Sequence, residues 1–175
     1  MTNYRRGQLR RNPIKAIANG IFFPIRALFL PTSSWGWLES LREERMRVVY
    51  RHCQGRVLDV GSGPGNCFIQ EWIGETYGVG VDCFAYEGVS QVVEDLTHLP
   101  FPDAAFDTVT LIAVGGHIPR SQRVAEFKEL ARVLKPGGRV VMTEGEPVTQ
   151  YLTHTWRQFA MPLVCKVDMD HERGM

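Results

Sequence analysis

The run Val57-Leu58-Asp59-Val60 leads straight into Gly61-Ser62-Gly63-Pro64-Gly65-Asn66, so an apolar strand pattern opens into a Gly-x-Gly-x-Gly turn. Alternate glycines let the chain turn sharply and approach a ligand where a β-carbon would clash, and a helix after the turn presents unpaired N–H groups to it. The pattern calls for a sheet with its ligand at the carboxyl end of the first strand. Asp59, two residues before the first glycine, narrows the ligand further. A pyrophosphate is disfavoured beside a carboxylate, whereas a cofactor with a cationic amino-acid end is favoured.

Downstream, short apolar strands alternate with helical patterns. Residues 79–82 read as a second strand, after a helical stretch holding Phe68, Ile69, Trp72 and Ile73. Residues 91–95 and 108–114 read as the third and fourth strands. A helix is expected over 121–134, with Val124, Phe127, Leu130, Ala131 and Leu134 on one face, stopped by Lys135-Pro136-Gly137-Gly138. Residues 139–144 are the fifth strand. Before the glycine loop, Ser33 or Ser34 is placed to cap a helix through residues 38–49, with Leu38, Leu41, Val48 and Val49 on its apolar side and Glu43 four residues before Arg47. The expected fold is α/β, a Rossmann-like, doubly wound and mostly parallel sheet. Residues 1–54 form a basic, apolar arm and helix, and residues 55–175 the core.

At 175 residues and 44% hydrophobic content the chain supports one domain with a core of its own. A net charge of +1 leaves no overall field of the kind that attracts nucleic acid, and no nucleic-acid partner is expected. The charge is uneven, however. Arg5, Arg6, Arg10, Arg11, Lys15 and Arg26 all precede the first acid, Glu39. Cys53, Cys67, Cys83 and Cys165 show no Cys-x-x-Cys spacing, which fits reduced thiols in a cytoplasmic protein. The apolar stretch over 16–30 is interrupted by Asn19, Gly20, Pro24 and Arg26, too broken for a spanning helix or a signal peptide. Two roles are open to residues 1–30: an element packed on the core over the substrate, or peripheral contact with a membrane interface.

Two further acids complete a pattern. Asp82 ends the second strand, 17 positions beyond Gly65, where a carboxylate can accept both hydroxyls of a ribose. Asp95 ends the third strand, placed for an adenine amino group, with the backbone of Leu96 within reach of the ring. Three acids at successive strand ends suit a ligand without phosphates. Here the chain resembles the class I S-adenosylmethionine-dependent methyltransferases, in particular their small-molecule branch. Val57 to Asn66 matches the first motif of that family, Gly80-Val81-Asp82 its ribose-binding acid, and residues 94–107 the stretch carrying its adenine contact. Residues 131–139, Ala-Arg-Val-Leu-Lys-Pro-Gly-Gly-Arg, look like its turn before strand five. The resemblance implies S-adenosyl-L-methionine as cofactor and a small, apolar or lipid-like methyl acceptor. It also implies that Asp59, Gly61, Gly63 and Gly65 shape the methionine end, that Asp82 binds the ribose, and that Asp95 with Leu96 binds the adenine.

Val114-Gly115-Gly116-His117 follows the fourth strand, and His117 is the candidate base or acceptor-orienting group, set against the plainer role of a loop histidine bonded to backbone. Glu144 and Glu146 could face the same cleft or be solvated surface acids. No metal is expected, because His52, His98, His154 and the Asp168–His171 cluster match no ligand spacing. The four tryptophans read as packing residues. Family members usually add an antiparallel strand hairpin after strand five, and the 31 residues after Glu144 are expected to lack it. That leaves a sheet edge open to homodimerisation, and an alternative function as a noncatalytic cofactor-binding scaffold. A nicotinamide enzyme would prefer Gly-x-Gly-x-x-Gly and leaves Asp95 unexplained.

Overall fold

The computed structural model describes residues 12–30 and 33–144. Residues 1–11, 31–32 and 145–175, with Glu146, His154 and the Asp168–His171 cluster, lie outside the described residues. Five parallel strands form one sheet in the order β3-β2-β1-β4-β5. They are β1 (Val57–Val60), β2 (Gly78–Asp82), β3 (Gln91–Val92), β4 (Phe106–Ile112) and β5 (Leu134–Thr143). All four residues of β1 are buried, as a strand covered on both faces must be. The chain leaves β1 toward β2 on one side and later adds β4 on the other, so the order reverses beside β1 and a crevice opens at the carboxyl ends there.

Two apolar layers cover the sheet. On one face Leu58, Val60, Val81, Val109 and Leu111 pack with Leu130 and Val133 of helix α4 (Arg123–Val133). On the other, Val57 packs with Met46, Val49 and Tyr50 of helix α3 (Leu41–His52) and with Phe68, Ile69, Trp72 and Ile73. The latter segment is not the regular helix expected: a 3-10 turn at Pro64–Asn66 passes into a π-helical turn at Ile69–Ile73. Gly65 at φ 76° and Asn66 at φ 45° prevent a regular α-helical start.

Several other boundaries and faces differ from expectation. Ser40, not Ser33 or Ser34, caps α3, its hydroxyl accepting from the Glu43 N–H at 3.0 Å, while Ser34 Oγ accepts from the Ser40 N–H at 2.9 Å. Arg47 grips the buried carboxylate of Glu39 through both guanidinium nitrogens. That pair occupies the inward face and leaves Val48 exposed. On α4, Glu126, Leu130 and Val133 point inward, whereas Val124 and Phe127 are exposed. β3 stops at Val92, so Asp95 lies in a turn and not at a strand end. β4 ends at Ile112, because Ala113 adopts φ 60°. Among the described residues no strand pairs with the outer edge of β5.

Ahead of α3 lie two short helices, α1 (Pro13–Ile21) and α2 (Phe23–Phe29). Asn12 caps α1 by accepting from the Ile14 N–H at 3.0 Å, and Pro13 suits the first helical position. Arg26 of α2 is 1% exposed and donates to Glu39 O at 2.6 Å, Asn19 O at 2.8 Å and Glu44 Oε2 at 2.6 Å. Asn19 Oδ1 accepts from the Glu39 N–H at 3.0 Å. The arm is thus seated on α3 through buried polar groups, each with a partner.

Candidate functional site

The glycine loop sits at the carboxyl end of β1. Gly61, Gly63 and Gly65 hold φ of 71°, 66° and 76°, a region that side-chain-bearing residues adopt at a cost. A β-carbon on Gly61 would fall 2.5 Å from Val114 Cγ2, so the loop and the segment after β4 are in direct contact. A β-carbon on Gly63 would meet nothing within 4 Å, leaving that face clear for a ligand. The Gly61 and Ser62 N–H groups donate to Val81 O at 2.9 and 3.0 Å. The Gly63 N–H donates to Asp82 Oδ2 at 2.9 Å, while Asp82 Oδ1 accepts from the Phe84 N–H at 3.0 Å. Asp82 therefore stands where expected, buried at the end of β2 and tied to the loop.

Asp59 lies beneath the loop, 2% exposed. Its Oδ1 accepts a 2.6 Å hydrogen bond from Thr110 Oγ1, and the register of β1 and β4 sets these two residues side by side. Burial pushes its carboxyl from 3.8 up to about 7; the Thr110 bond opposes the rise and the charge of Asp82 adds to it. An acid held near neutrality is sensitive to any cation placed beside it.

Asp95 is exposed in its turn, where its two carboxylate oxygens accept from the Thr97 N–H at 2.8 Å and the Thr97 hydroxyl at 2.7 Å. Those bonds, the hydroxyl's first, hold its carboxyl below the usual range. Leu96 packs on the core beside it. His117 is exposed, and its N–H closes a tight turn onto Val114 O at 2.8 Å. Glu144 does face this loop: its Oε1 accepts from the Gly115 N–H at 2.6 Å.

Three residues were not singled out from sequence. Thr110 is a polar residue in an apolar strand, and its pairing with Asp59 was the available signal. Asn66, fully buried, donates from Nδ2 to Ser90 Oγ at 2.9 Å, and its Oδ1 occupies the space a β-carbon on Gly80 would need. Glu126 is 2% exposed, its Oε1 without a hydrogen-bond partner among the described residues, and its carboxyl is pushed up by burial and then by the charge of Asp95. Its inward phase on α4 had no sequence signal.

A family profile described as a methyltransferase domain matches residues 58–142. Over that segment the chain is similar to methyltransferase domains, in line with its resemblance to the class I S-adenosylmethionine-dependent methyltransferase family. Among curated relatives, it is 31% identical over 130 residues to the ubiquinone/menaquinone biosynthesis C-methyltransferase UbiE of Geotalea daltonii, covering 63% of this chain and 54% of that one. It is 32% identical over 119 residues to the methyltransferase GfsG of Streptomyces halstedii, covering 58% and 40%. The chain thus spans about half the length of the curated relatives it matches. The solved structure of the PH0226 protein from Pyrococcus horikoshii superposes with a TM-score of 0.57 at 26% identity, covering 70% of this chain and 61% of that one.

The family implies S-adenosyl-L-methionine, and the residues present fit that group. The loop has a clear face at Gly63, residues 57–66 contain no lysine or arginine to meet a phosphate, and buried acids lie below and beside it at Asp59 and Asp82. Ser62 Oγ, also buried, has no hydrogen-bond partner among the described residues.

Proposed function

We propose that this chain transfers a methyl group from S-adenosyl-L-methionine to a small, apolar or lipid-like acceptor. The observation that carries the reading is the pair of buried carboxylates, Asp59 and Asp82, around a glycine loop free of cations. When bound, the cofactor supplies an electrophilic methyl on a sulfonium. Asp59 and the backbone of Gly61, Gly63 and Gly65 receive the cationic amino-acid end, and Asp82 accepts the ribose hydroxyls. Asp95 and the Leu96 backbone take the adenine, with Asp95 accepting through lone pairs that Thr97 leaves free. Positioning and exclusion of water are the main demands of an in-line displacement. His117, on the loop beside the glycine turn, orients the acceptor or removes its proton.

The acceptor class is supported by the relative whose name places it in quinone biosynthesis. Contact of residues 1–30 with a membrane interface belongs to the same reading. Titration calorimetry with purified protein tests the cofactor half: S-adenosylmethionine binds the wild type, and Asp82→Ala weakens it at least about tenfold, the loss of a charge-assisted hydrogen bond. Absence of binding by a folded wild-type chain would end the proposal. Release of S-adenosylhomocysteine with a prenylated quinone precursor tests the transfer half, and separates an enzyme from a binding scaffold.

A further inference from the structure

The helices of the arm are turned inside out relative to an ordinary surface helix, which buries its apolar stripe. Along α1, Ile14, Ile17 and Ile21 follow a helical stripe and are 65%, 62% and 69% exposed. On α2, Phe23 and Ile25 are 46% and 47% exposed, while among the described side chains of the two helices the buried ones are the polar Asn19 of α1 and Arg26 of α2. In the turn that follows, Trp35 and Trp37 are 74% and 68% exposed, held by reciprocal 2.9 Å hydrogen bonds between the Trp35 and Leu38 backbones. Scattered apolar residues on a surface are ordinary; a contiguous set on successive elements marks an interaction face.

We infer that α1, α2 and the Trp35–Leu38 turn dock as one rigid unit on the surface of a bilayer containing anionic lipid. This rests on the proposed function for its purpose, delivery of an apolar acceptor, and goes beyond it in naming the docking face and the lipid. Charge complementarity selects the lipid: residues 1–38 hold no acid and, besides the buried Arg26, five basic residues, with Arg10 and Arg11 directly before α1 in sequence. Tryptophan is enriched at the headgroup boundary. The mode is interfacial, since no described helix is long and apolar enough to cross a membrane.

The placement suits delivery. α3 enters β1 through a short turn, its last residues lying with Ile73 and Tyr77 at the amino end of the sheet, so its first turn points back toward the carboxyl end. The arm is fixed to that first turn through Glu39 and Glu44. The docking face therefore belongs to an element anchored on the side of the sheet end that carries the glycine loop.

Sedimentation of the full chain with phosphatidylcholine vesicles, with and without about 30% phosphatidylglycerol, tests the inference. The expected result is binding that is stronger with the anionic lipid and weakened by salt. Ile17→Glu and Ile21→Glu should each lower the partition coefficient about tenfold, since each withdraws a well-exposed isoleucine from lipid, with S-adenosylmethionine affinity and melting temperature unchanged. Vesicles with brominated acyl chains should quench the wild-type tryptophan emission, and Trp35→Phe/Trp37→Phe should remove most of that quenching; this second readout needs no charge in the stripe. Absence of vesicle binding by a chain that still binds S-adenosylmethionine overturns the docking alone. A wild-type dimer in lipid-free ultracentrifugation that Ile17→Glu/Ile21→Glu dissolves assigns the face to a second copy, and also overturns it. Loss of cofactor binding with vesicle binding intact counts against the proposed function instead.

Discussion

Replacing Asp59 by asparagine should stabilise the fold at alkaline pH and destabilise it at acid pH. In the folded chain the Asp59 carboxyl sits at about 7, against 3.8 for an ordinary aspartate, mainly through burial. Between those values the unfolded chain has ionised Asp59 and the folded chain has not. Folded stability therefore falls as pH rises through this window, and the loss is complete above about 7. At about 1.4 kcal/mol per pH unit, the roughly three-unit gap amounts to about 4 kcal/mol. Asparagine does not titrate, and its amide oxygen can keep the hydrogen bond from Thr110 Oγ1, while its buried amide N–H costs about 1–3 kcal/mol if unmatched. Relative to wild type the variant should be about 1–3 kcal/mol less stable at pH 4 and about 1–3 kcal/mol more stable at pH 8. Urea unfolding followed by circular dichroism at both pH values measures this directly. A difference between variant and wild type that is the same at both, or reversed in sign, refutes the burial argument. The same acid has a binding signature: a cationic cofactor pulls Asp59 toward ionisation, so binding at pH 6.5 should release protons in wild type and none from this site in Asp59→Asn. Calorimetry in buffers of different ionisation enthalpy counts them.

Gly61→Ala meets both a left-handed backbone and a 2.5 Å contact with Val114 Cγ2, so a loss of about 1–3 kcal/mol is expected; adding Val114→Ala should recover the steric part only, as read by thermal melting. Arg26→Ala removes the hydrogen bonds to Glu39 O, Asn19 O and Glu44 Oε2 and should cost about 1–3 kcal/mol, with limited proteolysis showing earlier cleavage before α3. His117→Gln should lower kcat/KM about 10²-fold or more if the residue takes a proton; an unchanged kcat/KM would leave it a loop-closing histidine.

The sheet and its cleft were legible in sequence because alternating apolar strands, a glycine loop and the helix before Lys135-Pro136-Gly137-Gly138 are local patterns. What was not legible depended on partners distant in sequence. Asp95 was expected at a strand end, but β3 pairs for only two residues before its backbone turns and Thr97 satisfies the carboxylate. Val124 and Phe127 fitted an inward stripe on α4, yet the phase is set by Leu130 and Val133 against the sheet, which carries Glu126 inside with them. Spacing drew attention to Glu43 and Arg47, but nothing local showed that Arg47 would grip the buried Glu39 through two nitrogens. The arm shows the same limit most plainly: its apolar and basic character was visible, but not that the polar side chains would face inward.

That inward network around Arg26 has a thermodynamic consequence. An amphipathic segment that is disordered in solution gives up much of its gross binding energy to ordering when it folds against a surface. In α1 and α2 the order is already present, fixed by hydrogen bonds that Arg26 donates and Asn19 accepts and that form when the domain folds. Association of this face then costs little chain entropy, and its strength tracks the side chains it presents rather than their propensity to form helix.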